Sequence, residues 1–130
     1  MTRFYGLVLV PNTPSLEEAC NIAAKLLYLH QYSDTDPEQE YKFDWFLQPD
    51  DLLEEGDADN SRGNKQFVWR VSEILGQFAS LEVEAIVTPD GHWHDMEPSH
   101  MWDEPAWVQR ARQLLQQHQD CIALKHVLHI

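Results

Sequence analysis

The sequence predicts a single α+β domain in which three helices pack on one side of a mixed or mostly antiparallel sheet of about five strands, in the order β-α-β-α-β-β-α-β. Three observations carry this expectation. The run Leu7-Val8-Leu9-Val10 is apolar without alternation. Three segments place apolar residues at helical spacing. The turn-forming Pro89-Asp90-Gly91 separates two strand-like stretches. A length of 130 residues fits one domain, residues 1–130, and suffices to bury a core without disulfide staples.

Taken in order, residues 4–10 are rich in β-formers and stop at Pro11-Asn12. Their unbroken apolar run suits a central strand covered on both faces. A helix follows, with either Thr13 as cap and Pro14 at the first helical position, or Ser15 and Glu18 as a capping box. Leu16, Ala19, Cys20, Ala23, Leu26 and Leu27 form its apolar face, and its end falls within residues 29–32. Residues 41–47 read as a strand, with Phe43, Trp45 and Leu47 opposed to Lys42, Asp44 and Phe46. The spacing of Phe67, Val71, Ile74, Leu75 and Phe78 predicts a second helix over 64–79, weakened by Gly76.

Residues 81–87 form a further strand in which Val83, Ala85 and Val87 alternate against Glu82, Glu84 and Ile86. Proline presets φ and glycine accepts a positive φ, so Pro89-Asp90-Gly91 turns the chain, and residues 92–96 return as a hairpin. A third helix begins at 103–105, with Asp103 and Glu104 at the positive end of its dipole, and carries Trp107, Ala111, Leu114, Leu115 and His118 as its inner stripe. Residues 121–130 form the last strand. Ile122, Leu124, His126, Leu128 and Ile130 share one face; Ala123, Lys125, Val127 and His129 share the other. That this strand reaches the last residue leads us to expect pairing inside the sheet.

The formal net charge is −13, from 22 acidic and 9 basic residues. Such a balance disfavours nucleic-acid phosphates and anionic membranes as partners. It fits simple solubility, a basic protein partner, or mimicry of nucleic acid by carboxylates. Eleven of the acids lie within residues 33–60, where Lys42 is the sole base. This loop-rich acidic insertion is too long for an idle connection. The N-terminal residues lead into a strand without the apolar stretch of a signal peptide, and no apolar run spans a membrane. Cys20 and Cys121 form no CxxC pair. The expectation is a cytoplasmic protein without a cofactor.

The chemistry centres on the hairpin. His92 and His94, two apart on the return strand, share a face and have a workable spacing for two ligands of a divalent transition metal, with His100 as a third. A regular strand turns Trp93 and Asp95 the other way, which takes the nearest carboxylate from that face. An acid/base or metal-dependent hydrolase would need His94, His129 and Asp44 within about 4–6 Å of one another around a cavity. Asp57-Ala58-Asp59-Asn60-Ser61-Arg62 opens like an EF-hand loop but has Arg62 at the glycine position and Val68 at the position of the bidentate glutamate. No GxSxG elbow, P-loop or dinucleotide fingerprint is present. The favoured reading is a non-enzymatic interaction protein, with Asp50, Asp51, Glu54 and Glu55 as its acidic surface and Trp45 and Trp93 as aromatic contacts; the hydrolase is the alternative.

The segment Val87-Thr88-Pro89-Asp90-Gly91-His92-Trp93-His94-Asp95, the closing His129-Ile130, the early Leu9-Val10-Pro11 and the central Lys42-Phe43-Asp44-Trp45-Phe46 together resemble an uncharacterised family of small bacterial and phage proteins. Those proteins share a VTPDG-x-W-H/Y-E segment and a terminal D-x-H-I, and many carry a YDWY…GGRW stretch. This chain departs from them at Gln48-Pro49-Asp50-Asp51, at Val127 and at Asp95, and the matching segments cover about a quarter of it. The resemblance implies no activity. It implies that Asp44, Trp45, Asp90, Trp93, His94 and His129 converge in the fold.

Overall fold

The structure, a computed structural model, describes residues 3–33, 35, 38, 40–48, 67–96 and 104–130. Its elements are β1 (Arg3–Val10), α1 (Leu16–Tyr28), β2 (Trp45–Leu47), β3 (Val68–Arg70), α2 (Val71–Ile74), a 3-10 turn (Phe78–Leu81), β4 (Val83–Val87), β5 (Trp93–Asp95), α3 (Glu104–Gln116) and β6 (Ile122–His129). Among the described residues, the six strands form one mixed sheet in the order β2-β6-β1-β4-β5, with β3 also paired to β6. β1 runs antiparallel to β6 over its whole length and parallel to β4. The other edge of β6 is shared: β2 lies along Val127–His129 and β3 along Ile122–Leu124. The α+β class and the mixed sheet are as the sequence predicts. No helix among the described residues is long and apolar enough to cross a membrane.

Alternation along β1 sends Leu7 and Leu9 to one face and Val8 and Val10 to the other, and each pair anchors a core. Helices α2 and α3 and the 3-10 turn gather on the first side, where Ile74, Phe78, Trp107, Ala111 and Leu115 bury against Leu7 and Leu9. α1 covers the second with Ala19, Cys20, Ala23 and Leu27. The layering thus follows the unbroken apolar run of β1, which needs cover on both faces. α1 starts where the Ser15 hydroxyl accepts the Glu18 N–H at 3.2 Å, so Ser15 rather than Thr13 is the cap, through the serine half of the expected capping box. It stops at Tyr28, one residue short of the predicted range.

The predicted helix over 64–79 is replaced, in its described part, by β3, the single turn of α2 and the 3-10 turn. The free edge of β6 accounts for this. The Lys125 N–H donates to the Phe67 carbonyl at 2.8 Å and the Val71 N–H donates to the Cys121 carbonyl at 3.0 Å, so tertiary pairing overrides helical spacing. The strand over 41–47 is also shorter than predicted. Phe43 is buried on the α1 side with Phe46, 5.9 Å between rings, while Trp45 is exposed, so strict alternation fails at Asp44. Much of the acidic insertion at 33–60, including Asp50, Asp51, Glu54 and Glu55, lies outside the described residues.

Two local features shape the sheet. Tyr5 pairs with Val83 but Gly6 pairs with Ala85, so β4 carries one extra residue, Glu84, as a bulge. The extra residue breaks the predicted alternation: Val83 and Ile86 bury on the α3 side, Val87 on the α1 side, and Glu84 stays exposed. Gly6 leaves room for Leu128, whose Cδ1 would stand 2.6 Å from an added Cβ. Gly76 meets nothing within 4 Å. In chemical denaturation, Gly6→Val is expected to cost about 1–3 kcal/mol through overpacking. Gly76→Ala is expected to be neutral or to gain up to about 1 kcal/mol by stiffening the unfolded chain. Equal midpoints for the two variants would remove the Leu128 contact as the reason for Gly6.

Candidate functional site

The hairpin forms as its sequence demands. The Gly91 N–H donates to the Thr88 carbonyl at 2.8 Å and the Thr88 N–H donates to the His92 carbonyl at 3.1 Å, with Gly91 at φ 87°. One face of the hairpin is structural. Trp93 stacks on Phe43 at 6.1 Å, meets Phe4 edge-on at 6.4 Å, and donates its indole N–H to Asp95 at 2.9 Å. His30, just beyond α1, donates from Nε2 to the Gly91 carbonyl at 2.8 Å and ties the tip to the helix. The aromatic contact expected of Trp93 is therefore made within the chain.

The other face carries the histidines. Asp90 accepts from His92 Nδ1 at 2.9 Å and from the Thr88 hydroxyl, and the latter bond holds its carboxyl below the usual range. His94 Nδ1 accepts from Arg110 of α3 at 3.5 Å. Burial, helped by the Arg110 charge, pushes the His94 imidazole below its ordinary value. The His92 and His94 rings are 6.5 Å apart and edge-on. His100 lies outside the described residues. Among the described residues, no group of three or more His, Cys, Asp or Glu side chains is placed to hold a metal. What the tip offers chemically is one imidazole oriented by a carboxylate, with its side chain 74% exposed.

His129 sits elsewhere. It stacks on Trp45 at 4.5 Å and 15°, is 6% exposed, and its Nδ1 has no hydrogen-bond partner among the described residues. Asp44 joins it through the backbone, its N–H donating to the His129 carbonyl at 2.7 Å. Register separates this group from His94. His94 pairs with Ile86, Ile86 with Leu7, and Leu7 with Lys125, four residues from His129 along β6. Three strand spacings and four residues put the two backbones on the order of 20 Å apart. Of the residues that the resemblance implies to converge, Asp44, Trp45 and His129 do so. Trp93 contacts their neighbour Phe43, while Asp90 and His94 stand apart with the hairpin tip.

The structure also holds a cleft of about 480 Å³ at the end of the sheet where β1 and β4 begin, under the 3-10 turn and α3. Tyr5, Phe78, Val83, Trp107 and Val127 wall it, and Arg3, Glu82 and Glu84 line it. Trp107 is fixed by donating its indole N–H to the Val83 carbonyl at 2.9 Å. Glu82 ends the 3-10 turn in the left-handed region at φ 56°, which a side chain adopts at a cost of about 1 kcal/mol. Burial raises the Glu84 carboxyl above its usual range. Pattern reading missed these residues because alternation made Glu82 and Glu84 look like a solvated face. The available signal was the pair of glutamates flanking a buried valine.

No protein-family model, curated protein or solved structure matches the chain.

In an NMR titration, His94 is expected to titrate below the ordinary histidine value of about 6.5, and Arg110→Ala is expected to move it upward. The unfolded chain binds this proton first. The His94 contribution therefore favours folding above about pH 6.5 and is lost as pH falls through the folded value. An unshifted His94 in both proteins would contradict the burial and charge described.

Proposed function

We propose that the chain is a non-enzymatic interaction module whose acidic surface holds a basic protein partner. The supporting observation is unmatched charge. Glu17, Glu18, Glu82 and Glu84 make no ion pair among the described residues, where the pairs formed are Lys42 with Glu40 at 3.8 Å and His92 with Asp90 at 2.9 Å. Carboxylates without a counter-ion among the described residues, in a chain of net charge −13, attract and steer a cationic surface. Asp50, Asp51, Glu54 and Glu55, which lie outside the described residues, add to the negative charge of the chain, and Trp45, 38% exposed, offers an aromatic contact. The hydrolase alternative needs His94, His129 and Asp44 around one cavity. The separation of His94 from His129 counts against it, whereas the binding reading requires no such convergence.

The resemblance to small bacterial and phage proteins is consistent with an accessory role in a bacterium or its phage. A cytoplasmic setting suits Cys20 and Cys121, two buried cysteines held as thiols rather than as a disulfide.

The test is affinity capture from the source cells with the wild-type chain and with a variant carrying Asp50→Asn, Asp51→Asn, Glu54→Gln and Glu55→Gln. The expected result is a discrete basic protein retained by the wild type, lost from the variant, and released by about 1 M salt, where the Debye length is about 3 Å. An identical, salt-resistant partner set for both proteins would count against the proposal.

A further inference from the structure

We propose that the cleft beneath α3 is a binding site for a small zwitterion with an aromatic or apolar body, of the class of a free aromatic amino acid. Arg3 takes its carboxylate, Glu82 and Glu84 its ammonium, and the aromatic walls its body. This goes beyond the protein-partner reading; it shares Glu82 and Glu84 with that reading but is tested separately from it.

Size and lining come first. A cavity of about 480 Å³ falls within the range of small-molecule sites, about 300–1,000 Å³, which combine apolar walls with a few convergent polar groups. The walls are held in place. Phe78 meets Trp107 edge-on at 6.2 Å, Trp107 is tied to the Val83 carbonyl, and the Lys125 ammonium lies 3.9 Å from the centre of the Tyr5 ring.

The arrangement of charge selects the ligand. Tyr5 and Val83 are partners across β1 and β4; Arg3 lies two residues before Tyr5, and Glu82 and Glu84 flank Val83. Neighbouring strands are about 5 Å apart and each residue advances about 3.3 Å, so the opposite charges lie within reach of one small molecule. Yet Arg3 forms no ion pair with either glutamate among the described residues, although all three line the same cleft. A ligand with one charge would satisfy one end only. A zwitterion satisfies both, through charge-assisted hydrogen bonds stronger than neutral ones. The Glu84 carboxylate, partly desolvated although its side chain is exposed, gains from an ammonium beside it.

The experiment uses three probes on the full chain by calorimetry, with amide shifts at Tyr5, Val83 and Trp107 to locate binding. The probes are L-phenylalanine, phenethylamine, which lacks the carboxylate, and 3-phenylpropionate, which lacks the ammonium. L-Phenylalanine is expected to bind roughly tenfold or more tightly than either, the scale of one charge-assisted contact. Arg3→Gln should lower phenylalanine to the level of phenethylamine and leave phenethylamine unchanged. Glu84→Gln should lower both amines and leave 3-phenylpropionate unchanged or improved. Both substitutions fall on exposed side chains, and unchanged circular dichroism confirms the fold. No saturable binding, shifts that map away from the cleft, or equal binding of phenylalanine and phenethylamine by the wild type would overturn the proposal. None of these outcomes bears on a basic protein partner, since no protein ligand is present.

Discussion

Everything in this fold leans on the pairing of β6. It hydrogen-bonds to β1 along its whole length on one edge and to β2 and β3 on the other. Its two faces feed separate cores: Leu124 and Leu128 pack toward α1, and Ala123 packs toward α3. The same strand supplies Val127 to the cleft wall, Lys125 to the Tyr5 ring and His129 to the Trp45 stack. A one-residue slip would exchange the two faces, putting Lys125 and His129 into the α1 core and removing Val127 from the cleft. Gly6 reinforces the register from the opposite strand, because Leu128 occupies the space where a side chain would stand.

This frame bears on the proposed binding role. Among the described residues, the ionisable groups are dispersed by the sheet. The hairpin tip holds one carboxylate-oriented imidazole, β6 holds another imidazole under a tryptophan, and the glutamates at the start of β4 line a cleft. Catalysis by acid and base requires such groups within hydrogen-bond reach of one reacting centre. Binding tolerates, and for a charged partner benefits from, carboxylates spread over a surface.

What could be read from the sequence was local. The cap of α1, the apolar stripes of α1 and α3, the Pro89-Asp90-Gly91 hairpin and the two faces of β6 follow from patterns a few residues long, and all are present. β3 escaped because Phe67, Val71 and Ile74 carry helical spacing while the decisive partner, the free edge of β6, is more than fifty residues away. The bulge at Glu84 escaped because a strand's alternation says nothing of its neighbour's register. The cleft escaped for both reasons, being assembled from β1, β4, the 3-10 turn and α3. Trp93 was legible as important but not in role: its indole serves Phe43, Phe4 and Asp95 within the chain.

The dependence on β6 is open to native-state hydrogen exchange, resolved by residue. Amides of residues 124–128, bonded at both strand edges and sealed by both cores, should exchange only through global unfolding. Those of β5, a three-residue edge strand, should exchange through smaller openings. Exchange in residues 124–128 as fast as in β5 would contradict the account, since the sheet would then hold together without the strand on which both cores and the cleft are built.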